Sequence, residues 1–96
     1  MTNTPAQLTF TAAKARFRLF TATGRHGEHW LKEEAFTWTY TLIRTNGSTI
    51  TAKAGFRTVA EQIAQAVENA NDPNAAQIYA IAHETYRAHQ ATNRRI

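Results

Sequence analysis

A chain of 96 residues and 10.8 kDa is long enough for one compact domain with one core, which excludes a second, catalytic domain. It contains no cysteine, which excludes disulfides, thiolate metal sites and Cys nucleophiles, and its longest unbroken apolar run, Ile78–Ala82, is far short of a membrane span or a signal-peptide core. The expected location is the cytoplasm. The net charge of +4 and isoelectric point of about 10.0 suit a polyanionic partner without saying which one.

The seventeen Leu, Ile, Val and Phe residues are a small share of the chain, whereas eighteen Ala and fifteen Thr make up about a third of it. The core is therefore thin, close packing on alanine is expected, and a homodimer would supply the buried area a single copy lacks. Charge is unevenly placed. Residues 1–57 carry eight Lys and Arg against three Glu, residues 58–86 carry four acids and no Lys or Arg, and Arg87, Arg94 and Arg95 follow.

In chain order, residues 1–7 are polar and are expected to fray. The stretch 8–23 is ambiguous: Phe10, Ala13, Phe17 and Phe20 fit a helical stripe, while Arg16-Phe17-Arg18-Leu19 alternates as a strand does. The Thr and Phe content and Gly24 beyond it favour a strand over Ala15–Ala22, with Leu8-Thr9-Phe10 as an earlier strand segment offset by a bulge near Ala12. Residues 24–34 read as a polar connection from which Trp30 and Leu31 tuck back onto the domain.

The clearest element is a hairpin over Ala35–Phe56. Phe36, Trp38, Tyr40 and Leu42 alternate with Thr37, Thr39, Thr41 and Ile43, and Ile50, Ala52, Ala54 and Phe56 alternate with Thr49, Thr51 and Lys53. A two-residue Asn46-Gly47 turn would pair Leu42 with Thr51 and mix the faces. A three-residue loop, Thr45-Asn46-Gly47 with Gly47 left-handed, instead pairs Leu42 with Ile50, Tyr40 with Ala52, Trp38 with Ala54 and Phe36 with Phe56.

Thr58-Val59-Ala60-Glu61 has the form of a capping box opening a helix with an apolar stripe of Val59, Ile63, Val67 and Ala70. Asn71-Asp72-Pro73 stops that helix. Asp72, with Pro73 first in turn, is expected to cap a second helix running to about Thr92 whose buried side holds Ala75, Ile78, Tyr79, Ala82 and Tyr86.

Few constellations carry chemistry. His26-Gly27-Glu28-His29 has ligand types for zinc or nickel, but its spacing and glycines fit a solvated loop, so no metal or other cofactor is expected. His83 and His89 are six apart on a helix and face different directions. Ser48, the only serine, sits beside a turn, no phosphate-binding Gly-rich loop is present, and Glu28, Glu33 and Glu34 read as solvated, so the chain is not expected to be an enzyme. Phe36, Trp38 and Tyr40 are read as core rather than as a base-stacking platform.

The opposite sheet face is the informative one. With Phe17 and Leu19 inward, Arg16, Arg18 and Lys14 project beside Thr37, Thr39, Thr41, Thr49, Thr51 and Lys53, a basic, hydroxyl-rich face without an acid, and with Phe20 and Ile43 as a small apolar patch. Such a face suits phosphates and base edges, and equally suits threonines chosen only for a wet strand surface.

The run Ala54-Gly55-Phe56-Arg57-Thr58-Val59-Ala60-Glu61-Gln62-Ile63-Ala64, following a hairpin with Trp38 and Tyr40, resembles the strand-to-helix junction of AP2-like, arm-type DNA-binding domains of phage integrases over residues 36–70. The resemblance implies a three-stranded sheet in the major groove with Arg16, Arg18, Thr39, Thr41 and Lys53 at the groove; the long 24–34 connection and the second helix depart from it. In size and make-up the chain is also similar to small phage and mobile-element proteins, among them anti-CRISPR and other anti-defence inhibitors.

The expectation is a single α+β domain over 1–96, with an antiparallel sheet of three or four strands in residues 8–57, two C-terminal helices over 58–92 on one face, and a basic tail at 93–96. Its expected function is non-enzymatic nucleic-acid binding, DNA favoured, through Lys14, Arg16, Arg18, Thr39, Thr41 and Lys53. The alternative is a protein-binding inhibitor or adaptor.

Overall fold

A computed structural model describes residues 7–13 and 18–93. The chain builds an antiparallel five-stranded meander, β1 (Thr11–Ala12), β2 (Leu19–Gly24), β3 (Gly27–Glu34), β4 (Thr37–Arg44) and β5 (Thr49–Ala54), in spatial order β1-β2-β3-β4-β5, followed by helices α1 (Arg57–Asn69) and α2 (Ala75–Asn93). This is the expected α+β class with one strand more than the upper expectation. No helix among the described residues is long and apolar enough to cross a membrane.

The β4–β5 hairpin has the expected register. Leu42 pairs with Ile50, Tyr40 with Ala52 and Trp38 with Ala54. Arg44 and Ser48 close a three-residue loop through Arg44 N–H donating to the Ser48 carbonyl at 2.8 Å, and Gly47 takes φ +89°, the left-handed conformation that glycine adopts at no steric cost. Leu31, Tyr40, Leu42, Val59, Ile63, Val67 and Ile78 are completely or almost completely buried between the sheet and the helices.

The residues read as a polar connection instead form β3, the central strand. His29 and Leu31 point to the helices while Glu28, Trp30 and Lys32 point away. The alternation is real but is carried by a histidine and by charged residues, so hydrophobicity alone hides it. Pairing on both edges satisfies the strand's backbone groups, which rewards the extended conformation whatever the side chains.

Two turns explain the remaining shifts. Arg25-His26 joins β2 to β3, and Ala35-Phe36 joins β3 to β4. Phe36 therefore sits on a hairpin tip, 95% exposed, rather than in the core opposite Phe56. Phe56 is the N-cap residue of α1 and is mostly exposed.

Of the strand expected over Ala15–Ala22, residues 15–17 lie outside the described residues and β2 runs Leu19–Gly24; the first strand is Thr11–Ala12 rather than Leu8–Phe10. Its parity is opposite to expectation: Phe20 and Ala22 pair with Leu31 and His29 on the helix side, which puts Leu19 on the open side. Burying the larger Phe20 ring against Trp38, with ring centroids 6.1 Å apart, decides that choice.

The helix ends also differ from the sequence reading. No side chain caps α1 at its N-terminus; Glu61 instead accepts a hydrogen bond from Arg57 at 2.9 Å, and an ion pair one turn along replaces the capping box. The amide of Gln77 donates to Asn74 Oδ1 at 2.8 Å, so Asn74 caps α2, while Asp72 lies near Arg44 at 3.4 Å. On α2, Ile78 is buried and Ile81, Ala82, Thr85 and His89 are half-buried, whereas Ala75, Tyr79 and Tyr86 are exposed.

Candidate functional site

Alternation along four strands sorts the uncovered sheet face into rows. The middle row runs Thr11, Thr21, Trp30, Thr41, Thr51 across all five strands. Beside it lie Leu19, Lys32, Thr39 and Lys53 on one side and Thr23, Glu28, Ile43 and Thr49 on the other. One tryptophan thus stands at the centre of the face, ringed by threonines, with Leu19 and Ile43 as apolar flanks.

The charges of this face balance in number, Lys32 and Lys53 against Glu28 and Glu34. The Lys53 ammonium lies 3.3 Å from the Glu34 carboxylate, and the Trp30 indole N–H donates to Glu28 at 3.2 Å. The expectation of a basic face free of acid is therefore corrected: Glu28 and Glu34 project there because β3, read as a loop, is a strand.

Of the expected site residues, Lys14 and Arg16 lie outside the described residues. Arg18 is not on this face. It sits on the helix side at the sheet end, ion-paired with Glu33 at 3.0 Å and with its guanidinium 5.7 Å from the Trp38 ring centroid. Thr41 lies beside Thr51 at 3.3 Å between hydroxyls. Thr39 is buried between its neighbours Lys32 and Lys53, and its hydroxyl has no hydrogen-bond partner among the described residues. The face brings Thr39, Thr41 and Lys53 together and adds Trp30, which sequence reasoning missed. The signal was available, since Trp30 lies between two inward residues, His29 and Leu31, on an alternating strand.

A second polar cluster is buried under α1. His29 Nε2 lies 3.1 Å from Glu68 Oε1 and His29 Nδ1 lies 2.7 Å from the Tyr40 hydroxyl. Burial pushes the Tyr40 hydroxyl far above its ordinary range, with the Glu68 charge adding to the effect, so the hydroxyl keeps its proton and donates. Burial likewise lowers the pKa of His29, outweighing the hydrogen bond and charge of Glu68. A neutral imidazole with its proton on Nε2 satisfies all three groups: Tyr40 donates to Nδ1, and Nε2–H donates to Glu68. For Glu68 burial acts upward, but hydrogen bonds from the Arg25 amide and His29 hold its carboxyl below the usual value.

The β2–β3 turn completes this cluster. Arg25 N–H donates to Glu68 Oε2 at 2.9 Å, the Arg25 guanidinium donates to the carbonyls of Glu68 and Ala70 at 2.8 and 2.7 Å, and His26 Nε2 donates to the Ala70 carbonyl at 2.7 Å. A cationic side chain thus takes up the free carbonyls at the negative end of α1. Every member of the cluster is satisfied by another, and the three central side chains are closed off from solvent. This arrangement ties a helix to a sheet and offers a reactant no way in. The alternation of β3 also separates two residues of the His26–His29 run, because Glu28 and His29 are consecutive strand residues on opposite faces.

A surface depression on α2 is lined by Glu84, Arg87 and Ala88. In comparisons with known proteins, no family model, curated protein or solved structure matches this chain.

Proposed function

We propose that this protein is a non-enzymatic binding domain that docks a protein partner on its open sheet face, with Trp30 as the anchor. The observation that carries this reading is a tryptophan at the centre of an uncovered face whose charged groups balance one another. Protein interfaces have this make-up: an aromatic hot spot and apolar residues in the middle, here Trp30 with Leu19 and Ile43, and a polar rim. Lys53 and Glu34 supply that rim. The reading agrees with an inhibitor or adaptor working in the cytoplasm, of the kind carried by phages and mobile elements.

Nucleic-acid binding is the second reading, and one observation favours it. Among the described residues seven Lys and Arg face seven Asp and Glu, so the whole excess of +4 resides in Lys14, Arg16, Arg94 and Arg95. Phosphate binding would then depend on those four side chains rather than on the sheet face.

A photo-crosslinking residue in place of Thr41, next to Trp30, tests the first reading. It should trap a defined protein in host lysate, and Trp30→Ala in the same background should abolish the adduct. A gel shift with random DNA or RNA at low salt, weakening steeply as salt is raised and unaffected by Trp30→Ala, would replace it with the second.

A further inference from the structure

We infer that two copies of this chain join edge to edge through β5 and side by side through α2, giving a continuous ten-stranded sheet under a four-helix layer. The inference is independent of what the open face binds.

The sheet has two edges. One is the two-residue β1; the other is the six-residue β5. The Arg44–Ser48 bond sets the hydrogen-bonding phase of the hairpin, so Ile50, Ala52 and Ala54 bond to β4 while Thr49, Thr51 and Lys53 turn their N–H and C=O groups outward. Those outward groups have no partner among the described residues. β5 contains no proline and shows unbroken one-to-one pairing with β4, and its single lysine is engaged by Glu34. Apart from Lys53, it shows none of the usual devices that keep an edge from pairing among the described residues.

The edge is self-complementary. With a two-fold axis at Thr51, that residue pairs with its own copy and Thr49 pairs with Lys53 of the other chain. Every outward N–H and C=O of the three residues then finds a partner, and like charges do not meet.

The helix layer is unfinished at the same place. α2 packs on α1 and on β5, the outermost strand, yet Tyr79 and Tyr86 are 55% and 47% exposed. Ala75, Tyr79, Ala82 and Tyr86 follow a four-three-four spacing, which places them on one flank of the helix with small and large residues alternating. An antiparallel copy centred between Ala80 and Ile81 sets Tyr79 against Ala82 and Tyr86 against Ala75, knob into gap.

The two axes coincide. Arg44 holds Asp72 at one end of β5, and Phe56 meets His89 at the other, with ring centroids 5.1 Å apart. From Ser48 to Phe56 the strand rises ~27 Å, and from Ala75, three residues after Asp72, to His89 the helix rises ~21 Å. The middle of α2 therefore lies along the middle of β5, so one rotation near Thr51 completes both layers. A partner that continues a sheet and a helix layer together, in matching register, is a second copy of this chain.

Sedimentation and oxidative cross-linking test this. The wild-type protein should have twice the mass of 10.8 kDa at micromolar concentration. Because the chain has no cysteine, Thr51→Cys should give a covalent dimer on mild oxidation, whereas Thr23→Cys on β2 should not. Thr51→Pro removes an outward N–H that the folded monomer does not use, and should yield a monomer with unchanged circular dichroism. Tyr79→Glu with Tyr86→Glu should raise the dimer dissociation constant by about tenfold or more. A monomeric wild type, or a dimer that Thr51→Cys fails to cross-link and the tyrosine changes leave intact, overturns the proposal. If the proline variant does not fold, the cross-link formed by Thr51→Cys decides alone.

Discussion

His29 of β3 and Glu68 of α1 share a hydrogen bond of 3.1 Å at a point that water does not reach. This contact fixes the end of α1 nearest the β2–β3 turn, and it makes the fold sensitive to acid. In the native state the pKa of His29 is lowered from 6.5, so on acidification the unfolded chain takes up this proton first. Native stability is therefore complete above the unfolded value and declines as pH falls below 6.5 toward the native one. Glu68, also lowered from its ordinary value of 4.5, adds a second loss of the same sign at lower pH. The melting temperature should be level above about pH 7 and fall steadily below it; a flat profile down to about pH 5 would contradict the buried neutral imidazole.

Gly24 makes the approach of Glu68 possible. A Cβ at this position would collide with the Glu68 carboxylate, Oε1 first, and that oxygen is held in place by His29. Gly24→Ala should cost about 1–3 kcal/mol. In a urea titration most of that cost should vanish when Glu68 is already alanine, giving a clear coupling in the double-mutant cycle.

Thr39 loses a hydrogen bond on folding. Its hydroxyl is buried on the open face with no partner among the described residues, so a methyl in its place removes a desolvation cost without changing side-chain shape. Thr39→Val should stabilise the protein by about 1 kcal/mol, measured by chemical denaturation. A destabilisation would show that the hydroxyl is satisfied.

The two tryptophans should behave oppositely. Trp38 is buried under the helices, and Trp38→Ala should cost about 3–5 kcal/mol. Trp30 lies half-buried on the uncovered face, and Trp30→Ala should cost about 1 kcal/mol or less while removing partner binding. Thermal melts of the two variants, run beside the cross-linking assay, separate a core residue from an interface residue.

Where local pattern and tertiary demand agree, the sequence determined the structure by itself. The period-two alternation of Trp38, Tyr40 and Leu42 against Ile50, Ala52 and Ala54 excludes every register slipped by one residue, and the three-residue loop that Gly47 permits selects the one observed. The apolar stripe Val59, Ile63, Val67 likewise fixed the buried side of α1. Tertiary structure decided the rest, for one physical reason: a backbone group left unpaired in a sheet costs more than an unfavourable side-chain pattern. β3 is a strand because β2 and β4 both pair with it, although its inward residues are a histidine, a leucine and a glutamate. That pairing carries Glu28, Trp30 and Glu34 onto the open face, turning an expected basic surface into a balanced one centred on an aromatic ring. It also places His29 where only a partner 39 residues further along the chain, Glu68, can satisfy it, a contact that no local spacing encodes.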